Sequence, residues 1–91
     1  MIYLISYDLN GHERPSAYHV VEKMIKEESI SWAKPLYSQW LVQTNDSLEA
    51  WHNRMKPLAD ADDRWLITKV DRSTSYGWLS KVVWEWFENH S

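Results

Sequence analysis

The chain has 91 residues, enough for one hydrophobic core and too few for two of independent stability. Aliphatic and aromatic residues make up 44% of it, seven of them tryptophan, against two glycines and three prolines, a composition that excludes a disordered or low-complexity chain. Thirteen acidic residues against ten basic give a net charge of −3, which disfavours long-range attraction to a phosphate polymer and leaves any nucleic-acid contact to a local patch.

The absence of cysteine excludes disulfides and thiolate metal sites, so a metal must sit on oxygen or histidine ligands. No apolar run approaches the roughly 20 residues that cross a bilayer, and the first residues read as a strand, not as a signal peptide. A soluble, unprocessed, cytoplasmic protein is expected.

Residues 2 to 8 place Ile2, Leu4 and Ser6 on one side of a strand and Tyr3, Ile5 and Tyr7 on the other. Both sides are largely apolar, the mark of a central strand covered on both faces. Asn10-Gly11 supplies a turn, and Pro15 suits the first position of a helix. Ala17, Val20, Val21, Met24 and Ile25 then recur at helical spacing.

Ser31 to Tyr37 and Ser38 to Thr44 read as two extended stretches, the first demoted by Pro35 to an edge strand or irregular chain, the second central around Trp40-Leu41-Val42. Asn45, Asp46 and Ser47 can each cap the next helix, and Asp46 with Glu49 gives an approximate capping box. Leu48, Trp51, Met55 and Leu58 line that helix, and Pro57 ends it. After an acidic turn at Asp60, Asp62 and Asp63, Trp65 to Val70 is the fourth strand. From Gly77 onward, Trp78, Leu79, Val82, Val83, Trp86 and Phe87 form a helical stripe, predicting a terminal helix over about 76–89 with Ser75 or Ser80 as cap.

The order β-α-β-β-α-β followed by a helix predicts an α+β, ferredoxin-like single domain over residues 1–91. Helices cover one face of such a sheet. The second face is left to the terminal helix or to a second subunit, and seven tryptophans favour a homodimer.

Asp8 is the leading chemical candidate, an acid at the end of the most apolar strand. It reads either as a turn-forming aspartate or as a metal ligand. One carboxylate holds Mg²⁺ weakly, and a two-fold axis near the strand ends converts one aspartate per chain into two per site. His12, with Asn10, is the candidate for a supporting proton-transfer or ligand role, against the alternative of a solvated loop histidine. Arg14 is the one arginine close after Asp8 available to a phosphate. Ser38 and Gln39 reach a phosphate or a partner backbone if their loop is exposed, and otherwise are ordinary strand residues.

The acidic "DADD" turn lacks the glycine and distal glutamate of a calcium loop. His52 reads as a partly buried packing residue, and His90 lies in the tail. No Ser-His-Asp spacing, phosphate-cradling glycine loop or dinucleotide fingerprint is present.

"YLISYDLN", "WAKPLYSQWLVQT", "WLITKV" and "GWLSKVVWEWF", in that order, resemble the small CRISPR-associated protein family 2 and its SinR-like and VapD-like relatives. The resemblance implies a ferredoxin-like homodimer associated with nucleic acid. It also implies that the first-strand aspartates, here Asp8, approach across the two-fold axis to share Mg²⁺ or another divalent cation for phosphodiester cleavage. Two functions are therefore expected: a metal-dependent endonuclease acting on RNA more readily than DNA, or a non-catalytic interaction module of the same fold, an antitoxin or mobile-element accessory protein that binds a protein partner.

Overall fold

β1 (Ile2–Asp8) presents apolar side chains on both of its faces, and such a strand needs pairing on both edges and cover on both sides. The computed structural model, which describes residues 1–9 and 15–91, gives it both. β1 pairs antiparallel with β3 (Gln39–Gln43), Leu4 opposite Leu41, and with β4 (Arg64–Val70), Ile5 opposite Ile67. β2 (Ser31–Leu36) pairs with the outer edge of β3, so the strands run in the order β2-β3-β1-β4. The protein is α+β, with one four-stranded antiparallel sheet and three α-helices among the described residues. Pro35 has no N–H to give a ladder, and its strand is an edge with a register irregularity between Ala33 and Leu36.

One face of the sheet is covered by α1 (Pro15–Glu28) and α2 (Leu48–Met55). Ala17, Val21 and Ile25, each four residues on, bury against Tyr3, Ile5, Tyr7 and Val42. Val20, expected on this stripe, is exposed, because the buried stripe centres on Val21 and Val20 lies about 100° away around the helix. α2 contributes Trp51 and Met55, both fully buried, whereas Leu48 is exposed. Of the three available caps the helix uses Ser47, whose hydroxyl accepts the Ala50 N–H at 3.1 Å. Asp46 instead receives Arg54 at 2.7 Å, and its carbonyl accepts the Tyr3 hydroxyl at 2.7 Å. A 3-10 turn over Lys56–Leu58 containing Pro57 closes the helix.

Buried indoles bring N–H groups that must be paired. Trp51 donates to the fully buried Thr44 Oγ1 at 3.1 Å, and Trp40 donates to Tyr7 Oη at 2.9 Å.

The second face is covered in part by α3 (Lys81–His90), whose Val83 and Phe87 pack on Ile2 and Leu41, with Leu4, Val70 and Trp84 around them. Trp86 fastens the helix to the edge strand by donating to Ser31 Oγ at 2.8 Å. The helix starts later than the predicted 76. Ser80 is the cap, accepting the Val83 N–H, while Ser75 is engaged in closing the preceding 3-10 turn (Arg72–Thr74), its hydroxyl on the Asp71 carbonyl. Trp78, expected on the buried stripe, precedes the helix and is exposed; Val82, also expected there, lies in the helix but is exposed because the buried stripe runs through Val83 and Phe87, about 100° around it. No helix of the described residues is long and apolar enough to cross a membrane.

Candidate functional site at the end of the central strand

Side chains alternate along β1, so Asp8 shares its face with Ile2, Leu4 and Ser6, the face α3 covers. That cover stops short of the Asp8 end. Ser6 lies opposite Gln39 on one side and Leu66 on the other, Leu36 lies opposite Gln39, and Asp8 lies opposite Arg64. Leu36 is 52% and Leu66 is 64% exposed, and Asp8 is exposed beside them. Arg64 donates to the Asp63 carbonyl at 3.3 Å and so turns toward its own loop.

Residues 75–79 run along the same face. With Leu4, Leu36, Gln39 and Leu41 they line a groove of about 280 Å³, and Tyr76 and Trp78 stand out from it, 104% and 97% exposed. The open end of this face thus exposes Leu36 and Leu66 beside Asp8, with the groove of Tyr76 and Trp78 on the same face. Among the described residues no group of three or more histidine or acidic side chains is placed to hold an ion.

Asn10, His12 and Arg14 lie outside the described residues. The structure separates Ser38 from Gln39. Gln39 opens β3 on the Asp8 face and donates to Ser6 Oγ at 3.4 Å, whereas Ser38 sits in the two-residue turn before it with φ of 60°. His52 is exposed, not packed inside, and its Nδ1 accepts the Trp65 indole N–H at 3.2 Å. Asp63 of the acidic turn is buried, where its carboxylate accepts the Asp60 N–H at 2.8 Å, a structural use of the "DADD" run.

The opposite face of the same sheet end holds a second feature, a cleft of about 260 Å³ lined by Tyr7, Tyr18, His19, Glu22, Lys34, Tyr37 and Ser38. Tyr18 Oη is fixed by both backbone groups of Leu9, accepting the N–H at 3.2 Å and donating to the carbonyl at 3.3 Å. Its ring lies between those of Tyr7, centroids 5.8 Å apart, and Tyr37, 6.2 Å apart. Lys34 Nζ sits 5.3 Å from the Tyr37 ring centre and 5.2 Å from that of Trp40, and Lys26 Nζ 4.9 Å from that of Trp32. Glu22 pairs with Lys26 at 3.0 Å, and that hydrogen bond holds its carboxyl below the usual range. Burial pushes the Tyr7 phenol up, opposed by the Trp40 hydrogen bond.

No protein-family model and no curated protein matches the chain.

Sequence reasoning reached Asp8 through its place at a strand end and missed the cleft. Tyr18 and Tyr37 are 19 positions apart, on a helix and at a hairpin tip, and only the fold brings them together. The available signal was the pair Lys34 and Tyr37 around Pro35, a cation and a ring on an edge hairpin.

Proposed function

We propose that the chain is a ferredoxin-like protein of the CRISPR-associated family 2 type. In this reading it pairs with a second copy through the open end of its second sheet face and acts as a divalent-metal-dependent endoribonuclease with Asp8 as ligand. The observation that carries this reading is the exposed Asp8 carboxylate on the same face as the uncovered Leu36 and Leu66. The strand order, with β1 and β3 in the middle, supports the fold assignment.

One exposed carboxylate is a poor site for Mg²⁺, which keeps near-octahedral oxygen ligation, and the donor set fits the ion only when two Asp8 side chains meet. Held between them, a divalent cation supplies Lewis acidity toward a phosphodiester. The chain's own part is to place the carboxylate at the rim of a surface that excludes water once paired. Leu36, Leu66, Tyr76 and Trp78 form that surface, and Ser6 and Gln39 face it with polar groups.

The test is Asp8→Asn against the natural chain on a labelled single-stranded RNA with Mg²⁺. Asp8 is exposed, so the fold should keep its stability to within about 0.5 kcal/mol, and cleavage should vanish. Cleavage that survives the substitution or excess EDTA removes the mechanism.

The fully exposed Tyr76 and Trp78, with the net charge of −3, favour a second reading: a non-catalytic module that binds a protein through the same surface. A stoichiometric protein partner co-purifying without nucleic acid separates it from the first.

A further inference from the structure

We infer that the cleft between Tyr37, Tyr18 and Lys34 holds one unpaired nucleobase of a single-stranded RNA, stacked on Tyr37 with its phosphate at Lys34. The inference rests on the nucleic-acid reading above and adds the form of the ligand and a contact surface away from Asp8.

Tyr37 is 81% exposed at the tip of the β2-β3 hairpin, yet it is positioned by the Tyr18 ring beside it and by Ser38, the one described non-glycine residue with positive φ. A serine in the left-handed region is strained by about 1 kcal/mol or more, and such strain gathers at binding sites. A ring held in place without apolar cover is a platform for a flat ligand.

Charge selects which flat ligand. Glu22 also lines the cleft, but its carboxylate is hydrogen-bonded to Lys26 at 3.0 Å, while Lys34, the cation lining the cleft, makes no contact ion pair among the described residues and feels Glu22 only at longer range. A bound cation in an aromatic cage is opposed by that ammonium, and an anion attached to a ring is favoured.

The remaining polar group is Tyr7. Its hydroxyl oxygen accepts the Trp40 N–H, and no described residue accepts its proton, so a neutral phenol presents a donor to a carbonyl or ring nitrogen on a base edge. The cleft is slightly smaller than the roughly 300 Å³ at which drug-sized sites begin, room for one base. Bases inside a duplex have their faces stacked, so the base must come from a single strand.

The experiment is fluorescence anisotropy in EDTA with a fluorescein-labelled single-stranded oligouridine of about ten nucleotides and a duplex RNA of equal length. The full chain should prefer the single strand. Tyr37→Ala, at an exposed position, should keep the melting temperature and weaken single-strand binding about 5- to 100-fold, the loss of one base–aromatic stack. Tyr37→Phe should bind as the natural chain does. Lys34→Gln should reduce the slope of log affinity against log salt by about 0.7, one phosphate contact on a single strand.

Equal binding by Tyr37→Ala and the natural chain overturns the inference and leaves the nucleic-acid reading standing. Loss of binding in both Tyr37 variants overturns the stack, since phenylalanine keeps the ring. Absence of binding to both probes overturns the inference, and absence of cleavage of the same single strand with Mg²⁺ overturns the reading it rests on.

Discussion

Trp78→Ala separates the surface that folding needs from the surface that association needs. Trp78 is 97% exposed in the single chain, so truncating it removes almost no intramolecular burial, and folding stability should move by no more than about 0.5 kcal/mol. In the proposed dimer the same indole is covered. Tyr76 and Trp78 each offer on the order of 200 Å², together about half of the roughly 800 Å² that each partner contributes to a standard interface. Area does not convert directly to affinity, but a buried tryptophan at the centre of an interface is worth about 2 kcal/mol or more on truncation. A two-fold axis removes two of them at once, for a loss of about 4 kcal/mol, roughly a thousandfold in the dimer dissociation constant.

Sedimentation equilibrium across a concentration series reads that shift, and urea unfolding of the dissociated chain reads the other number. A dimer constant unchanged by Trp78→Ala, or a natural chain that stays monomeric at high micromolar concentration, refutes pairing through this surface. A large loss of monomer stability refutes the placement of Trp78 outside the core.

Phe87→Ala takes from α3 the side chain that covers Ile2 and Leu41, and should cost about 3–5 kcal/mol by urea unfolding; a loss under about 1 kcal/mol contradicts the docking of this helix on the sheet. Tyr7 gives a pH dependence. Burial raises its folded pKa above the unfolded value, so its contribution to stability is complete below the unfolded tyrosine pKa and is lost as pH rises through the folded one. Melting temperatures should therefore fall in the alkaline range, less steeply in Tyr7→Phe, and equal slopes for the two proteins would remove the effect.

Much of the fold was legible because it is written in local patterns. The two apolar faces of residues 2–7 predict a central strand, and Pro35 predicts an edge, since a missing donor is tolerated only where no neighbour needs it. Where several residues share a competence, tertiary partners decide. Asn45, Asp46 and Ser47 can all cap, and Ser47 does so while Arg54 takes the Asp46 carboxylate. Ser75 and Ser80 can both cap, and Ser75 closes the turn before it. The tryptophan stripe misled at Trp78 for that reason: the periodicity extends past the point where the helix begins. In the candidate site, Asp8 was visible as a change of chemistry along one strand, while Tyr18 with Tyr37 was not, because no periodicity links a helix to a hairpin tip.

The period of two along β1 has a consequence for how the two surfaces coexist. Tyr7 and Asp8 are consecutive, so they face opposite sides of the sheet: Asp8 the open, apolar end that pairs in the proposed dimer, Tyr7 the cleft beneath Tyr18 and Tyr37. Covering one face leaves the other exposed. A strand of RNA stacked at Tyr37 therefore does not compete with the second copy for space. To reach the carboxylate its backbone would have to pass around the end of the sheet, because consecutive side chains point to opposite faces. Had the acid fallen at position 7 or 9, it would have shared the cleft face with the tyrosines, adding negative charge where a phosphate must sit and leaving the apolar face without a ligand. With Asp8 at an even position and Tyr3 and Tyr7 at odd ones, the proposed pairing would use one side of the sheet and the proposed base contact the other.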